Sequence, residues 1–417
     1  MDALTRPTLP SWQAGAGRPS RAAANAADAG RVSLVGGGWR RRIRAGIGAP
    51  HARHGATLMP SGRHPDTPAP LHPDDANRLR AVRFDRPDAI PMTFHINDAC
   101  WHHFPQEALA DLMAEYPRLF GGAEPPALPH RPDDLPNAVA DRPFTDPWGC
   151  TWETTDDGIV GTVTRHPLAD WADFEDYVPP DPSGGDGMGD YLASAASPTG
   201  RYERLPAASL RHGHTFQQLV DLRGYENLMY DMADGEPRLE RLIDTVEAFN
   251  LALVHRDLEA GARWMGYPED LGMQTGPLLS PGHFRRYILP VYERLMAPAR
   301  EAGAVVHMHS DGRLHGLVDD LLAAGVEALN LQDLVNGLDW IAGRLKGRVC
   351  IDLDVDRQDV TVHGTPAEVD ALIRREVDRL GAPEGGLTMI YGLYPGTPLE
   401  NARAVAEAMH RYAGHYS

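Results

Sequence analysis

Histidine and aspartate recur at the end of one short apolar segment in the second half of this sequence, in the run His307-Met308-His309-Ser310-Asp311. The two histidines and the aspartate are spaced by two positions, so they share one face if the segment is a strand. Imidazole nitrogen and carboxylate oxygen bind divalent cations, and imidazole is a common general acid or base. We predict that His309 is catalytic and that His309 and Asp311 can bind a metal ion. The alternative for His309 is a hydrogen-bonded core histidine.

Other short apolar segments are also followed by histidine, carboxylate, amide or phenol side chains. Such groups can act as general acids and bases or orient a substrate through hydrogen bonds. The alternative for each residue is that loops begin with polar residues and that aspartate often caps the following helix. We predict as further catalytic residues Asp270, Tyr391 and Glu269, and as substrate-binding residues His95, Asn97, His212, His214, Gln274, His307 and Asp354.

Three aspartates alternate near residue 354, namely Asp352, Asp354 and Asp356. Carboxylates on one face of a strand repel one another, so they need arginines, a metal ion or raised pKa values. At least one of them is expected to cap the next helix rather than face a substrate.

The segments that carry these residues alternate between short strand patterns and longer helix patterns, and the helix patterns repeatedly stop at glycine. Seven strands are predicted near residues 92, 207, 265, 306, 329, 351 and 389. This alternation is typical of βαβ units and a parallel sheet. We predict a (β/α)8 TIM barrel over 75–417, in which active-site residues stand at the carboxyl ends of the strands. The rival is a doubly wound open sheet, which normally has an early glycine-rich phosphate loop that this sequence lacks.

Residues 120–200 are rich in proline, glycine, aspartate and tryptophan and show few helical periods. We interpret them as an irregular insertion that contains one hairpin around 148–163 and conceals the eighth strand.

Composition limits the function classes. The formal net charge of −18 opposes binding to nucleic acid or to anionic membranes. No apolar run approaches the roughly 18 residues of a membrane span. The odd number of cysteines argues against a disulfide framework, and the single lysine, Lys346, argues against a Schiff-base mechanism. We expect a cytoplasmic protein that acts on a small molecule.

Residues 1–58 form a distinct segment with nine arginines and only two acidic residues. An arginine-rich, acid-poor start is typical of a transit peptide. The alternatives are a disordered tail, which we favour, or translation that begins at Met59.

Several motifs resemble the uroporphyrinogen decarboxylase superfamily, which includes the decarboxylase and methyltransferases that work with corrinoids. The matching segments lie in the expected order, at 148–152, 222–228, 269–274, 309–312, 324–330, 355–358, 364–369 and 395–401. The resemblance covers about 75–417 and implies a TIM barrel with an enzymatic function.

Two departures from the family pattern narrow that function. After the first strand the family's decarboxylases have an arginine-containing turn that grips substrate carboxylates, whereas this sequence has 95–101 without arginine. The family's zinc methyltransferases have His-x-Cys and a later cysteine, where this sequence has His309-x-Asp311 and Tyr391. We expect a methyltransferase or demethylase that acts on a small polar substrate together with a corrinoid-carrying partner protein. We also expect that the protein binds a divalent metal such as zinc and forms a homodimer. The alternatives are decarboxylation of a porphyrinogen or smaller acid, and a non-catalytic barrel that binds a tetrapyrrole or corrinoid.

Overall fold

The computed structural model describes residues 70–184 and 202–416. The predicted tail 1–58 and part of the predicted insertion, 185–200, lie outside the described residues. Within the described ranges, no helix combines the length and apolar character that crossing a bilayer requires.

In the described part of the chain, ten strands build two sheets. In chain order they are β1 (Met92–Ile96), β2 (Phe144–Thr145), β3 (Thr151–Glu153), β4 (Thr162–Arg165), β5 (Ala207–Ser209), β6 (Trp264–Pro268), β7 (Val305–Ser310), β8 (Ala328–Gln332), β9 (Cys350–Asp354) and β10 (Leu387–Leu393). The helices are α1 (Pro73–Val82), α2 (Asp98–His103), α3 (Gln106–Glu115), α4 (Phe216–Arg223), α5 (Tyr225–Asp234), α6 (Pro237–Glu259), α7 (Pro281–His283), α8 (Leu289–Glu301), α9 (Val318–Ala324), α10 (Asp333–Asn336), α11 (Leu338–Arg344), α12 (Val360–His363), α13 (Pro366–Leu380) and α14 (Leu399–Tyr412).

The main sheet is a curled layer of seven parallel strands in the order β1-β10-β9-β8-β7-β6-β5, with helices between successive strands. All seven predicted strands are present, and the fold is TIM-barrel-like as predicted. Among the described residues no eighth strand joins β5 to β1, so the barrel wall is open on that side.

Two apolar clusters hold the sheet in place. The larger one lies between the outer face of the sheet and the surrounding helices, and includes Leu329, Met389 and Val405. The smaller one lies inside the barrel, where the first residues of the strands, such as Trp264 and Val305, pack against α1. Helix α1 therefore closes the amino-terminal end of the barrel and leaves the carboxyl-terminal end, here called the mouth, for the site.

The second sheet is a small antiparallel one, in the order β2-β3-β4. Strands β3 and β4 pair antiparallel, with Trp152 opposite Val163, which confirms the hairpin predicted around 148–163. Trp148 is fully buried beside this sheet, and its carbonyl oxygen accepts a hydrogen bond from the Tyr177 hydroxyl. The predicted insertion thus contributes a packed cover in its described part.

Candidate functional site

Three side chains from neighbouring strand ends meet at the mouth, and we call them the mouth cluster: His212, Asp270 and His309. His309 lies on β7, Asp270 lies two residues beyond β6, and His212 lies three residues beyond β5. The Asp270 Oδ1 atom lies 3.1 Å from His212 Nε2 and 3.5 Å from His309 Nε2. Parallel strands bring these residues together because their carboxyl ends meet at one edge of the sheet.

The loops after β6 and β7 approach each other closely, and this contact positions the carboxylate of Asp270. The Asp311 N–H donates to Asp270 Oδ1 at 3.1 Å. A Cβ on Gly312, whose φ is +82°, would lie 2.1 Å from the carbonyl carbon of Gly272. Only glycine fits this conformation and this contact. Gly312 therefore belongs to the framework of the site.

The His309 ring is fixed from behind. Its Nδ1 donates to the side-chain oxygen of Asn330 on β8, and the Asn330 amide donates to the backbone carbonyl of Asp352 at 2.7 Å. This arrangement leaves His309 Nε2 facing the mouth, where it can carry a proton or bind a cation. Asn330 was not predicted as a site residue.

An arginine joins two further carboxylates beside His309. The Arg357 guanidinium donates to Asp354 at 2.6 Å and to Asp311 at 3.1 Å, and its centre lies 5.4 Å from the Tyr394 ring. Asp311 Oδ1 lies 3.7 Å from His309 Nε2. Sequence reasoning missed Arg357, although the expectation that the alternating aspartates need an arginine pointed to it.

Burial and neighbouring charges shift the pKa values of the side chains in the site. Burial lowers the pKa of His309, but the contact with Asp270 and the charge of Asp311 outweigh it and raise that pKa to about 9. Burial raises the pKa of Asp270, but the imidazoles of His212 and His309 more than offset this, so that pKa lies well below its usual value. Burial raises the pKa of Asp354 to about 7, against the opposing effect of Arg357.

A second polar layer lies deeper in the barrel. His307 Nε2 lies 2.8 Å from Asp352 Oδ2, and Asp352 also accepts from the Thr388 hydroxyl at 2.6 Å. The His307 ring packs on the Trp264 ring, with centroids 5.3 Å apart. His307 therefore lies below the mouth cluster. Asp356, by contrast, caps the start of α12 by accepting from the N–H of Thr361, as expected for one of the three aspartates.

The prediction that Glu269 is a catalytic residue is wrong. Glu269 is fully buried, and its carboxylate accepts from the backbone N–H of Thr215, Phe216 and Gln217 and from the Tyr292 hydroxyl. It caps the amino terminus of α4. Burial raises the pKa of Glu269, and the N–H donors partly counteract this.

Tyr391 and His214 also lie away from the mouth, which corrects two predictions. Tyr391 belongs to the helix-facing side of β10, where its ring packs 5.1 Å from that of Phe94. His214 is buried against Tyr292, and its Nδ1 bonds the Thr215 hydroxyl at 2.7 Å. Burial lowers the pKa of His214 to about 3, so this ring is neutral.

The other predicted binding residues lie at the rim or on the open side. Gln274 is exposed, and its amide donates to Gln358 at 2.7 Å. His95 projects from β1 with an exposed side chain. Asn97 accepts from the Ala99 N–H and so caps α2. Gln274 and His95 remain accessible to a ligand.

With this geometry in view, comparison with known proteins identifies the family. A family model described as uroporphyrinogen decarboxylase matches residues 146–412. The chain belongs to this family. The predicted superfamily membership is therefore confirmed, and the mouth cluster stands at the strand ends of a uroporphyrinogen decarboxylase family barrel.

Individual relatives match part of this family member. The uroporphyrinogen decarboxylase of Thermus thermophilus is 31% identical over 218 residues, which cover 46% of this chain and 60% of that protein. The enzyme of the same name from Geobacter sulfurreducens is 26% identical over 176 residues, covering 41% and 48%. The chain thus spans about half to three-fifths of these relatives. A solved methyltransferase from Methanosarcina mazei has the same fold, with a TM-score of 0.53 at 16% identity over 81% of this chain and 98% of that one.

The donor set of the mouth fits a divalent cation. Zinc bonds to nitrogen and oxygen are about 2.0–2.1 Å long, so tetrahedral ligand atoms lie about 3.3 Å apart. Asp270 Oδ1 lies 3.1 Å from His212 Nε2 and 3.5 Å from His309 Nε2, and Asp311 Oδ1 lies 3.7 Å from His309 Nε2. Ligand atoms of His212, Asp270 and His309 all lie within 4.8 Å of one another, as do those of His309, Asp311 and Asp354. Either group offers the nitrogen and oxygen ligands that a zinc-type cation accepts.

Proposed function

We propose that this family member is a metal-dependent enzyme of the methyltransferase or demethylase kind, which acts on a small polar substrate together with a corrinoid-carrying partner. The observation that carries the proposal is the convergence of His212, Asp270 and His309 at the mouth, with ligand atoms within 4.8 Å of one another. A bound divalent cation would supply Lewis-acid activation of the substrate atom that it contacts.

The charge balance of the mouth supports a small substrate over a polyanion. Asp270, Asp311 and Asp354 converge there, and Arg357 is already paired with two of them. A porphyrinogen with many carboxylates needs several free cationic forks. The mouth instead favours a cation, or a substrate with few negative charges.

The protein groups have separate roles in this proposal. Asn330 holds the His309 ring so that Nε2 faces the substrate, and Arg357 pairs with both Asp311 and Asp354. Without a cation, the raised pKa keeps His309 protonated at neutral pH, so Nε2 can donate a proton to a leaving oxygen or nitrogen. A cation and this proton compete for the same nitrogen, so cation affinity should rise with pH up to about 9.

A second candidate function is decarboxylation, which the names of the curated relatives favour. In that case protonated His309 and its neighbours would stabilise developing negative charge without a metal ion. The two candidates differ in whether the mouth cluster must bind a cation for turnover.

Zinc titration by calorimetry on the chelator-treated full chain tests the proposal. We expect about one saturable zinc site, weakened at least tenfold by Asp270→Asn. Asp339→Asn, which changes an acid on the exposed surface of α11, should leave zinc affinity unchanged. Turnover is then followed with free methylcobalamin and a small thiol as the methyl donor and acceptor, and separately with uroporphyrinogen. Absence of saturable zinc binding would overturn the proposal, and uroporphyrinogen turnover by the metal-free protein would establish the second candidate.

A further inference from the structure

A cavity of about 850 Å³ lies on the open side of the barrel, beside β1. Its walls come from β1, α1, the segment 118–123, the end of α14 and the residues that follow it. None of the three residues of the mouth cluster lines it. All five residues of β1 line it, and of these Thr93 and His95 are exposed whereas Met92, Phe94 and Ile96 are buried.

Almost every charged side chain on these walls is already neutralised by a partner. Asp75 pairs with Arg204 at 2.8 Å, and Asp74 lies 3.5 Å from Arg118. Asp88 pairs with Arg80. Arg411, which also lines the cavity, pairs with Asp370.

Arg78 is the exception among the described lining residues. Its guanidinium lies 3.9 Å from the centre of the Trp264 ring, inside the barrel, and no described carboxylate lies within ion-pair distance of it. The charge of Arg78 helps to lower the pKa of Asp352, but the hydrogen-bond partners of that carboxylate are His307 and Thr388. The indole covers one face of the guanidinium and leaves its N–H edge available.

We propose that this cavity binds a small monocarboxylic acid, whose carboxylate takes the N–H edge of Arg78 while its body lies along the Thr93 and His95 side of β1. A planar guanidinium stacked on an indole is held in one orientation, and its parallel N–H donors match a planar carboxylate. One unpaired positive charge matches one negative charge. The cavity is large enough for a ring or a short chain attached to that carboxylate.

This site is separate from the mouth cluster. Trp264 pairs in register with Val305, and Pro268 pairs with His309, so the stacked guanidinium lies about four strand residues below the mouth. At about 3.3 Å per residue that is on the order of 13 Å along the strand. The proposal therefore stands whether or not the mouth binds zinc.

Calorimetric titration of the chelator-treated full chain with benzoate, benzamide and inorganic phosphate tests the site. We expect saturable benzoate binding and at least tenfold weaker binding of benzamide, which has the same shape without the charge. Arg78→Gln should weaken benzoate at least tenfold, and Arg78→Lys should give an intermediate loss because it keeps the charge without the fork. Arg142→Gln, an exposed arginine away from the cavity, should bind as the wild type does. Benzoate affinity should also survive Asp270→Asn, which separates this site from the mouth.

Three results would overturn the proposal. One is benzoate binding that Arg78→Gln leaves unchanged, and another is equal affinity for benzoate and benzamide. The third is tighter binding of phosphate than of benzoate, which would assign the arginine to a different anion. If circular dichroism shows that Arg78→Gln does not fold, the Arg78→Lys variant and the benzoate–benzamide comparison on the wild type decide the outcome.

Discussion

Replacement of Glu269 tests whether this carboxylate stabilises the fold or takes part in the site. Its neighbour Asp270 faces the mouth, whereas Glu269 caps helix α4 from inside the protein. Helix α4 has no side-chain cap of its own, since the Thr215 hydroxyl bonds the His214 ring instead. The first N–H groups of a helix need an acceptor, and a negative charge there is favourable.

The geometry sets the size of the effect. Glu269 Oε2 accepts from Thr215 N at 3.0 Å, Phe216 N at 2.9 Å and Tyr292 Oη at 2.8 Å, and Oε1 accepts from Gln217 N at 3.0 Å. In Glu269→Gln the amide oxygen can still accept from the three donors that Oε2 serves. The amide nitrogen replaces Oε1, however, and cannot accept from the N–H of Gln217. One buried donor without an acceptor costs about 1–3 kcal/mol. Glu269→Ala removes all four acceptor contacts, and breaking a buried charged network costs about 3–5 kcal/mol.

Urea unfolding at pH 7, followed by circular dichroism, measures these differences, and Glu407→Gln on the exposed face of α14 is the control. The control should change the free energy of unfolding by less than about 0.5 kcal/mol. Folded Glu269→Gln should bind zinc as the wild type does. A Glu269→Gln protein with unchanged stability and lost zinc binding would refute the structural role and return this residue to the site.

Three further outcomes are expected. In metal-free protein, the NMR titration midpoint of His309 should lie near 9. Asp270→Asn should lower this midpoint by about one to two pKa units, because it removes the negative charge 3.5 Å from His309 Nε2. An unchanged midpoint would contradict the electrostatic explanation. Gly312→Ala should lower both the melting temperature and zinc affinity, because a Cβ collides with the neighbouring backbone; a variant that matches the wild type in both would show that the loops can separate. Burial and the nearby Asp333 raise the pKa of Glu376. The folded protein therefore keeps the proton on Glu376 to higher pH than the unfolded chain does, so this proton stabilises the fold at low pH and the stabilisation is lost as pH rises. Glu376→Gln should therefore flatten the fall of unfolding free energy between pH 4 and pH 8, with a slope change of at most about 1.4 kcal/mol per pH unit, and an identical pH profile would show that the pair is not protonated in the folded state.

The order of secondary structure was predictable because its signals are local. Helix α13 shows such signals, because Thr365 and Glu368 form a capping box and Pro366 begins the helix. The short apolar strands were recognisable between glycine-terminated helices. The family resemblance and the strand pattern agreed because both follow from the same βαβ repeat.

Because the carboxyl ends of the strands meet at one mouth, the sequence correctly predicted that His309, Asp270, His212 and Asp311 lie close together. It failed where the direction of a single side chain mattered. No residue of strand β10 is exposed, so its apolar pattern does not reveal which residues point inward, and Tyr391 faces the helices.

The sequence alone determined the succession of strands and helices and the polar residues that end them, because these depend on neighbours along the chain. The tertiary structure alone decided that Glu269 turns inward while Asp270 turns to the mouth, since Glu269 accepts from the N–H groups that begin α4 and Asp270 accepts from the N–H of Asp311. It also decided that Arg357 and Arg78 enter the barrel. Each of these placements rests on contacts between residues distant in the chain, and no local pattern encodes them.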